Sequence, residues 1–203
     1  MPKKEVKGKL IPIPSLKIKY KDIFDLKEFY KALREWCLEY EWIDFETAKD
    51  GGDKWESYYG ERVSADGAKE IFIWWRLFKP AKDTRYLNYF LDMDFHIIGL
   101  MPTEVIKDGM KIKAHKGEIE LKIRGHVQLN YMSKFEEHAV LKHLEKLFTK
   151  RIYTTHTEHE KELYQEIHAL YNFIKQWFKL KRYLPYEETK SFFPSKAWPS
   201  HQK

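Results

Sequence analysis

Residues 118–132 read EIELKIRGHVQLNYM, and no other stretch constrains the fold as tightly. Ile119, Leu121, Ile123, Val127, Leu129 and Tyr131 take alternate positions, with Glu118, Glu120, Lys122, Arg124, His126, Gln128 and Asn130 between them. Successive side chains of a strand point to opposite faces. The stretch is therefore a strand with one apolar and one polar face, the mark of an antiparallel sheet covered on one side. Gly125 sits in the apolar series, where it permits close approach of a helix or marks a bulge.

Turn chemistry upstream divides the chain into further strands. WESYYGERV and KEIFIWWRLF flank SADGA, where Asp66-Gly67 supplies a positive-φ hairpin position. KPAKDT turns into RYLNYFLDMDFHII, and TEVIK-DG-MKIKA forms a second hairpin, with Asp108-Gly109 suited to a type I′ turn. HKG then leads into the opening stretch. Nearer the start, Leu16, Ile18 and Tyr20 alternate with lysines as a short edge strand. Pro12 and Pro14 hold Ile11 and Ile13 extended.

Three stretches have helical spacing. Asp25 and Glu28 form a capping box ahead of a stripe of Leu26, Phe29, Tyr30, Leu33, Cys37 and Tyr40. Leu141, Leu144, Phe148 and Ile152 make a second helix, backed by a basic stripe of Lys142, Lys146 and Lys150. A third has Thr157 as N-cap and turns Leu163, Ile167, Leu170, Ile174, Trp177 and Phe178 inward, with Pro185 as its stop. The expected fold is α+β: a meandering antiparallel sheet with helices packed on one face and a C-terminal helical pair. Residues 1–15 read as a basic arm, 16–184 as a single domain, and 185–203 as an aromatic, proline-containing tail.

Net charge is +6, and its placement matters more than its size. Lys3, Lys4, Lys7, Lys9, Lys17, Lys19 and Lys21 face Glu5 alone in the first 21 residues, so the rest of the chain is balanced. The body carries no sign of a basic field for nucleic acid; any phosphate attraction resides in the arm, at Lys3, Lys4, Lys7 and Lys9. No apolar run is long enough to span a membrane. The N-terminus lacks the apolar core of a secretory signal, and Cys37 has no second cysteine to pair with. A cytoplasmic location is expected. Scarce Asn and Gln beside abundant Lys and Glu suit a hot environment.

Three groups of residues bear on function. Asp92, Asp94 and His96, within YFLDMDFHIIGL, share a strand face and offer oxygen and imidazole ligands suited to a divalent transition ion. The polar face continues through residues 118–130, which explains them as solvated strand surface, so no metal site and no catalytic residues are expected. His156, Thr157, Glu158 and His159, with Glu162 and Glu166, resemble half of a di-metal bundle site, but the helix at 135–153 offers no matching carboxylate set. They read as a solvated helix start whose acids suit the macrodipole. Phe72, Trp74, Arg76 and Phe78 form the second apolar face of a strand whose other face is Ile71, Ile73, Trp75 and Leu77. They are either covered or a binding surface for partner or ligand. Phe192, Phe193 and Trp198 make the tail too aromatic for ordinary disorder, and it is expected to dock. No phosphate loop, CxxC pair, HExxH helix or nucleophile elbow is present, so no cofactor is expected.

The element order over residues 16–153 is similar to the helix-grip arrangement of the polyketide-cyclase and lipid-transfer superfamily, in which a curved sheet wraps a long helix around an apolar cavity. That resemblance implies a small-molecule binder or a cyclase-like enzyme. The strings IWWR, LDMDFHIIGL and KRIY resemble uncharacterised archaeal proteins. The leading functional expectation is a non-catalytic intracellular binding or assembly protein with a protein partner. A helix-grip-like cavity protein is the alternative. Nucleic-acid association through the N-terminal arm stands third.

Overall fold

A computed structural model describes residues 9–44, 55–82, 87–107, 110–129 and 153–180. The predicted helix over 135–153, the tail residues Phe192, Phe193 and Trp198, and Lys3, Lys4 and Lys7 of the arm lie outside the described residues. Seven strands form one antiparallel sheet: β1 (Lys9–Pro12), β2 (Leu16–Phe24), β3 (Ile43–Asp44), β4 (Glu56–Val63), β5 (Lys69–Pro80), β6 (Leu87–Lys107) and β7 (Met110–Leu129). Their order is β1-β7-β6-β5-β3, with β2 also on β7 and β4 also on β5. Two helices are described, α1 (Leu26–Glu39) and α2 (Tyr153–Trp177). The α+β architecture read from the alternation is the one observed; of the C-terminal helical pair, α2 is the described member.

The spine is the β6–β7 hairpin, longer than the turn signals suggested. Lys107 pairs with Met110, bracketing the Asp108-Gly109 dipeptide, which lies outside the described residues. Neither Gly99 nor the HKG segment ends a strand. Gly99 adopts φ 63° where the register shifts between Ile98 and Met101, so one bulged residue is absorbed and pairing continues. Gly67, at φ 83°, makes the predicted turn between β4 and β5. Lys9, read as part of the arm, begins β1, and Ile13 behind it is buried and donates its N–H to the Gly125 carbonyl at 2.8 Å.

One face of the sheet carries the core. Ile71, Ile73, Trp75 and Leu77 of β5, Leu91, Met93, Phe95 and Ile97 of β6, and Ile119, Leu121, Ile123 and Val127 of β7 are buried there together. α1 lays Phe29, Leu33, Trp36 and Cys37 on this layer, and α2 lays Leu163, Ile167, Leu170 and Ile174. Asp25 caps α1 as read, accepting from the N–H groups of Lys27 and Glu28 at 3.0 and 3.1 Å. Rings close the joint between the elements: Phe178 stacks on Tyr20 at 4.5 Å and lies 4.7 Å from Phe29.

Several helical details differ from the sequence reading. Trp36 joins the core, while Tyr40, at the C-cap of α1, is exposed. Glu41 turns left-handed at φ 63°, and Trp42 and Glu41 donate to the carbonyls of Cys37 and Leu38 at 2.8 and 3.0 Å. That Schellman pattern ends the helix and moves the last turn off the core stripe. α2 ends the same way: Lys179 has φ 52°, and Leu180 and Lys179 donate to Lys175 and Gln176 at 2.9 and 3.0 Å. The turn, and not Pro185, terminates it, and Trp177 is left exposed instead of inward. Thr157 lies inside α2, whose start at Tyr153 precedes it by a full turn, so it is not the N-cap. No described helix is long and apolar enough to cross a membrane.

Candidate functional site

Helices cover the odd-numbered face of β5 and of β6 up to Ile97, so the even-numbered residues form the opposite face, which is exposed at Trp74, half-buried around it and buried at Phe90. The register sets Phe72 opposite His96, Trp74 opposite Asp94, and Arg76 opposite Asp92. The structure therefore brings the two sequence-predicted groups into one surface. Phe72 stacks flat on His96, with centroids 4.4 Å apart and planes 13° apart. His96 Nε2 lies 2.9 Å from Glu70 Oε1. Trp74 is 41% exposed at the middle of β5. Its ring lies 4.4 Å from that of Tyr58 on β4, and the Arg76 guanidinium sits over it at 5.4 Å. Phe78 lies farther along the same face, 5.5 Å from the ring of Phe90.

Asp92 and Asp94 belong to a charge-balanced square with Arg76 and Arg124. Arg76 Nη2 is 2.7 Å from Asp94 Oδ1, and Arg124 Nη2 is 2.5 Å from Asp94 Oδ2. Asp92 lies 3.6 Å from Arg76 and 3.9 Å from Arg124. Lys122, directly opposite Asp94 in register, is passed over for the diagonal Arg124, whose planar fork reaches both carboxylates. Lys17 and Lys19 continue the lattice onto Glu118 and Glu120, at 2.7 Å from Lys17 to Glu120 and 2.5 Å from Lys19 to Glu118. Among the described residues, no group of three or more His, Cys, Asp or Glu converges as a metal site.

Asp94 is less exposed than its place on a polar strand suggested, with its side chain 25% accessible. Two guanidinium groups share it. We expect Asp94→Asn to cost about 1.5–3 kcal/mol, the range for hydrogen bonds to charged groups, where a freely solvated position would cost under about 0.5 kcal/mol. Urea denaturation of the two proteins measures the difference.

A second polar cluster lies on the helix side, at one end of the core. Lys79 occupies the core-facing parity of β5 and is 6% exposed. Its ammonium donates to both carboxylate oxygens of Glu166 on α2, at 3.0 and 2.9 Å. Trp42 donates its indole N–H to the same carboxylate at 2.6 Å, and Lys79 lies 5.5 Å from the Trp42 ring centroid. Beside them the buried Tyr89 hydroxyl donates to Glu162 Oε2 at 2.8 Å and meets His159 Nδ1, which is 3.2 Å from the same carboxylate. Glu162, Glu166 and Lys79 line a recess of about 250 Å³ with Glu39, Tyr40, Glu41 and Lys82.

His156 and His159 are buried, so the histidines are not part of a solvated helix start, whereas Glu158 and Glu162 are exposed as that reading expected. The sequence reading sought partners for His159, Glu162 and Glu166 on a facing helix. They come instead from the sheet, as Lys79 and Tyr89. The missed signal was a lysine at the fifth apolar-face position after Ile71, Ile73, Trp75 and Leu77.

Cys37 is fully buried, and burial pushes its thiol well above the ordinary value of 9.0, with the Glu166 charge adding to the shift. Tyr30 is raised from 10.0 by burial and then by its hydrogen bond to Glu56. Both groups are held neutral in the folded protein and ionise more easily when unfolded. Their contribution to stability is complete below pH 9.0, the lower of the two ordinary values, and falls as pH rises above it. We expect the melting temperature to decline on the alkaline side, with a shallower decline in Cys37→Ala. A thiol reagent should leave native Cys37 unmodified and label it on unfolding.

Comparison with known proteins found no matching family model, no matching curated protein and no matching solved structure.

Proposed function

We propose that the chain is a non-catalytic binding protein that docks a protein partner on the open face of its sheet, around Trp74. The observation that carries this reading is the exposed indole at the centre of a long interior strand. Tyr58 and Arg76 hold it in place, and paired charges surround it. Trp, Tyr and Arg are the residues that dominate binding energy at protein interfaces, inside a rim of polar contacts that add little.

The other readings draw less support. A stacking platform for nucleobases needs open ring faces and unspent positive charge. Here Tyr58 and Arg76 engage the Trp74 ring, His96 covers Phe72, and Arg76 and Arg124 are neutralised by Asp92 and Asp94. A helix-grip ligand would sit between sheet and helix, where Tyr30 of α1 already lies against Trp75 and Phe95, and Ile167 of α2 packs onto Gly125.

The test is cross-linked capture from nuclease-treated native lysate, with the intact chain and with Trp74→Ser and Tyr58→Ser. Both side chains are exposed, so the variants retain the fold. A hot-spot tryptophan contributes about 2 kcal/mol or more, which makes the expected loss of capture at least about tenfold. Equal capture by wild type and Trp74→Ser overturns the proposal.

A further inference from the structure

We infer that β4 is a self-association edge: it pairs antiparallel with β4 of a second copy across a twofold axis at Gly60, joining two sheets into one. The first support is an asymmetry between the two edges. On one side, β2 carries Lys17, Lys19 and Lys21 at alternate positions, and β1 ends in Pro12. Lysine and proline are the ordinary devices that stop an edge from pairing. The eight residues of β4, ESYYGERV, contain neither.

The second support is exposure. Tyr58 is 44% exposed, Tyr59 55% and Val63 62%, with Trp74 beside them on β5. The β4 side chains sit on the edge that carries no lysine or proline, and its one register shift, between Glu56 and Tyr58, is confined to the start of the strand.

The third is self-complementarity. Residues opposite one another in an antiparallel pair share a face, so a twofold axis normal to the sheet pairs even positions with even and odd with odd. Centred on Gly60, within the regular stretch after the register shift between Glu56 and Tyr58, Tyr58 faces the second copy's Arg62 and Tyr59 faces its Glu61. These are a cation–π pair and a phenol–carboxylate pair; the latter already forms within one chain, where Tyr59 donates to Glu61 at 2.6 Å. The glycines meet at the axis. Centring on Glu61 would oppose two carboxylates. The joined sheet keeps both open faces on one side, with the two Trp74 residues three strand spacings apart across the sheet and four residues apart along it, about 20 Å in all.

Light scattering of the full chain after gel filtration, from about 1 to about 100 µM, reads the mass by concentration. The expected mass rises towards twice 24.7 kDa. Tyr59→Lys/Val63→Lys, at two exposed positions, should shift the midpoint at least about tenfold higher, as edge lysines do. Tyr58→Cys/Arg62→Cys should form an oxidised, reducible dimer band, because those positions, four residues apart along one strand, face each other only across the axis. Trp74→Ser should leave the mass unchanged, which separates this inference from the docking of a partner on the open face. A monomer throughout the range, a dimer indifferent to the lysines, or no cysteine-linked band overturns it.

Discussion

Glu166→Ala is expected to destabilise the protein by about 3–5 kcal/mol, the cost of leaving a buried charge without its partner. Lys79 and Glu166 are 8% and 11% exposed at the side chain, and the ammonium makes both of its described hydrogen bonds to that one carboxylate. The substitution also strips the acceptor from the Trp42 indole N–H. The large effect belongs to the orphaned lysine, not to the pair as such. Lys79→Met/Glu166→Leu should therefore recover most of the loss, because apolar groups of similar volume replace a buried ion pair at little cost. Chemical denaturation of the three proteins tests this. A double variant as unstable as Glu166→Ala would mean that the pair stabilises through more than mutual neutralisation.

Gly125→Val should be the other severe change, at about 3 kcal/mol, the upper end of ordinary overpacking. A Cβ on Gly125 would lie 2.1 Å from Cδ1 of Ile167 and 3.6 Å from Cβ of Ile13. Intrinsic strand preference favours valine over glycine by up to about 1 kcal/mol, so a loss of stability isolates the helix contact. Ile167→Ala alone should cost about 2–5 kcal/mol through the cavity it leaves. Combined, the two changes should cost less than their sum, with a coupling of about 1–3 kcal/mol, since the new methyl groups fill the space the isoleucine vacates. Additive costs would show that α2 does not rest on this glycine.

Much of the frame was legible because it is encoded locally. A period of two in residues 118–129 sorts side chains onto two faces whatever strands lie alongside. Asp25 caps α1 through N–H groups two and three residues away, and Gly67 turns a hairpin through its own φ. Both signals are complete within a few residues. The same locality explains the misplaced helix details. Thr157 fits an N-cap by type, but nothing in residues 157–160 records that the preceding turn is also helical. Tyr40 continues the α1 stripe on paper, yet the chain leaves the helix in a left-handed turn at Glu41, a residue with no preference for that conformation.

The sequence by itself determined that this chain makes an antiparallel sheet with a helix-covered apolar face; it put Asp94 on a polar strand face and Trp74 on the strand face opposite Trp75, leaving open which face of that strand is covered. Only the tertiary structure decided what each group meets there. Asp94 is claimed by Arg76 and the diagonal Arg124, because strand register, which is set by contacts far apart in the chain, chooses its neighbours. Lys79 and Tyr89 stand at apolar positions by alternation. They are accommodated because α2 crosses the end of the core and lowers Glu166 and Glu162 onto them. A buried charge is tolerated only where an opposite charge and its hydrogen bonds arrive with it, and that arrival depends on how two distant elements pack.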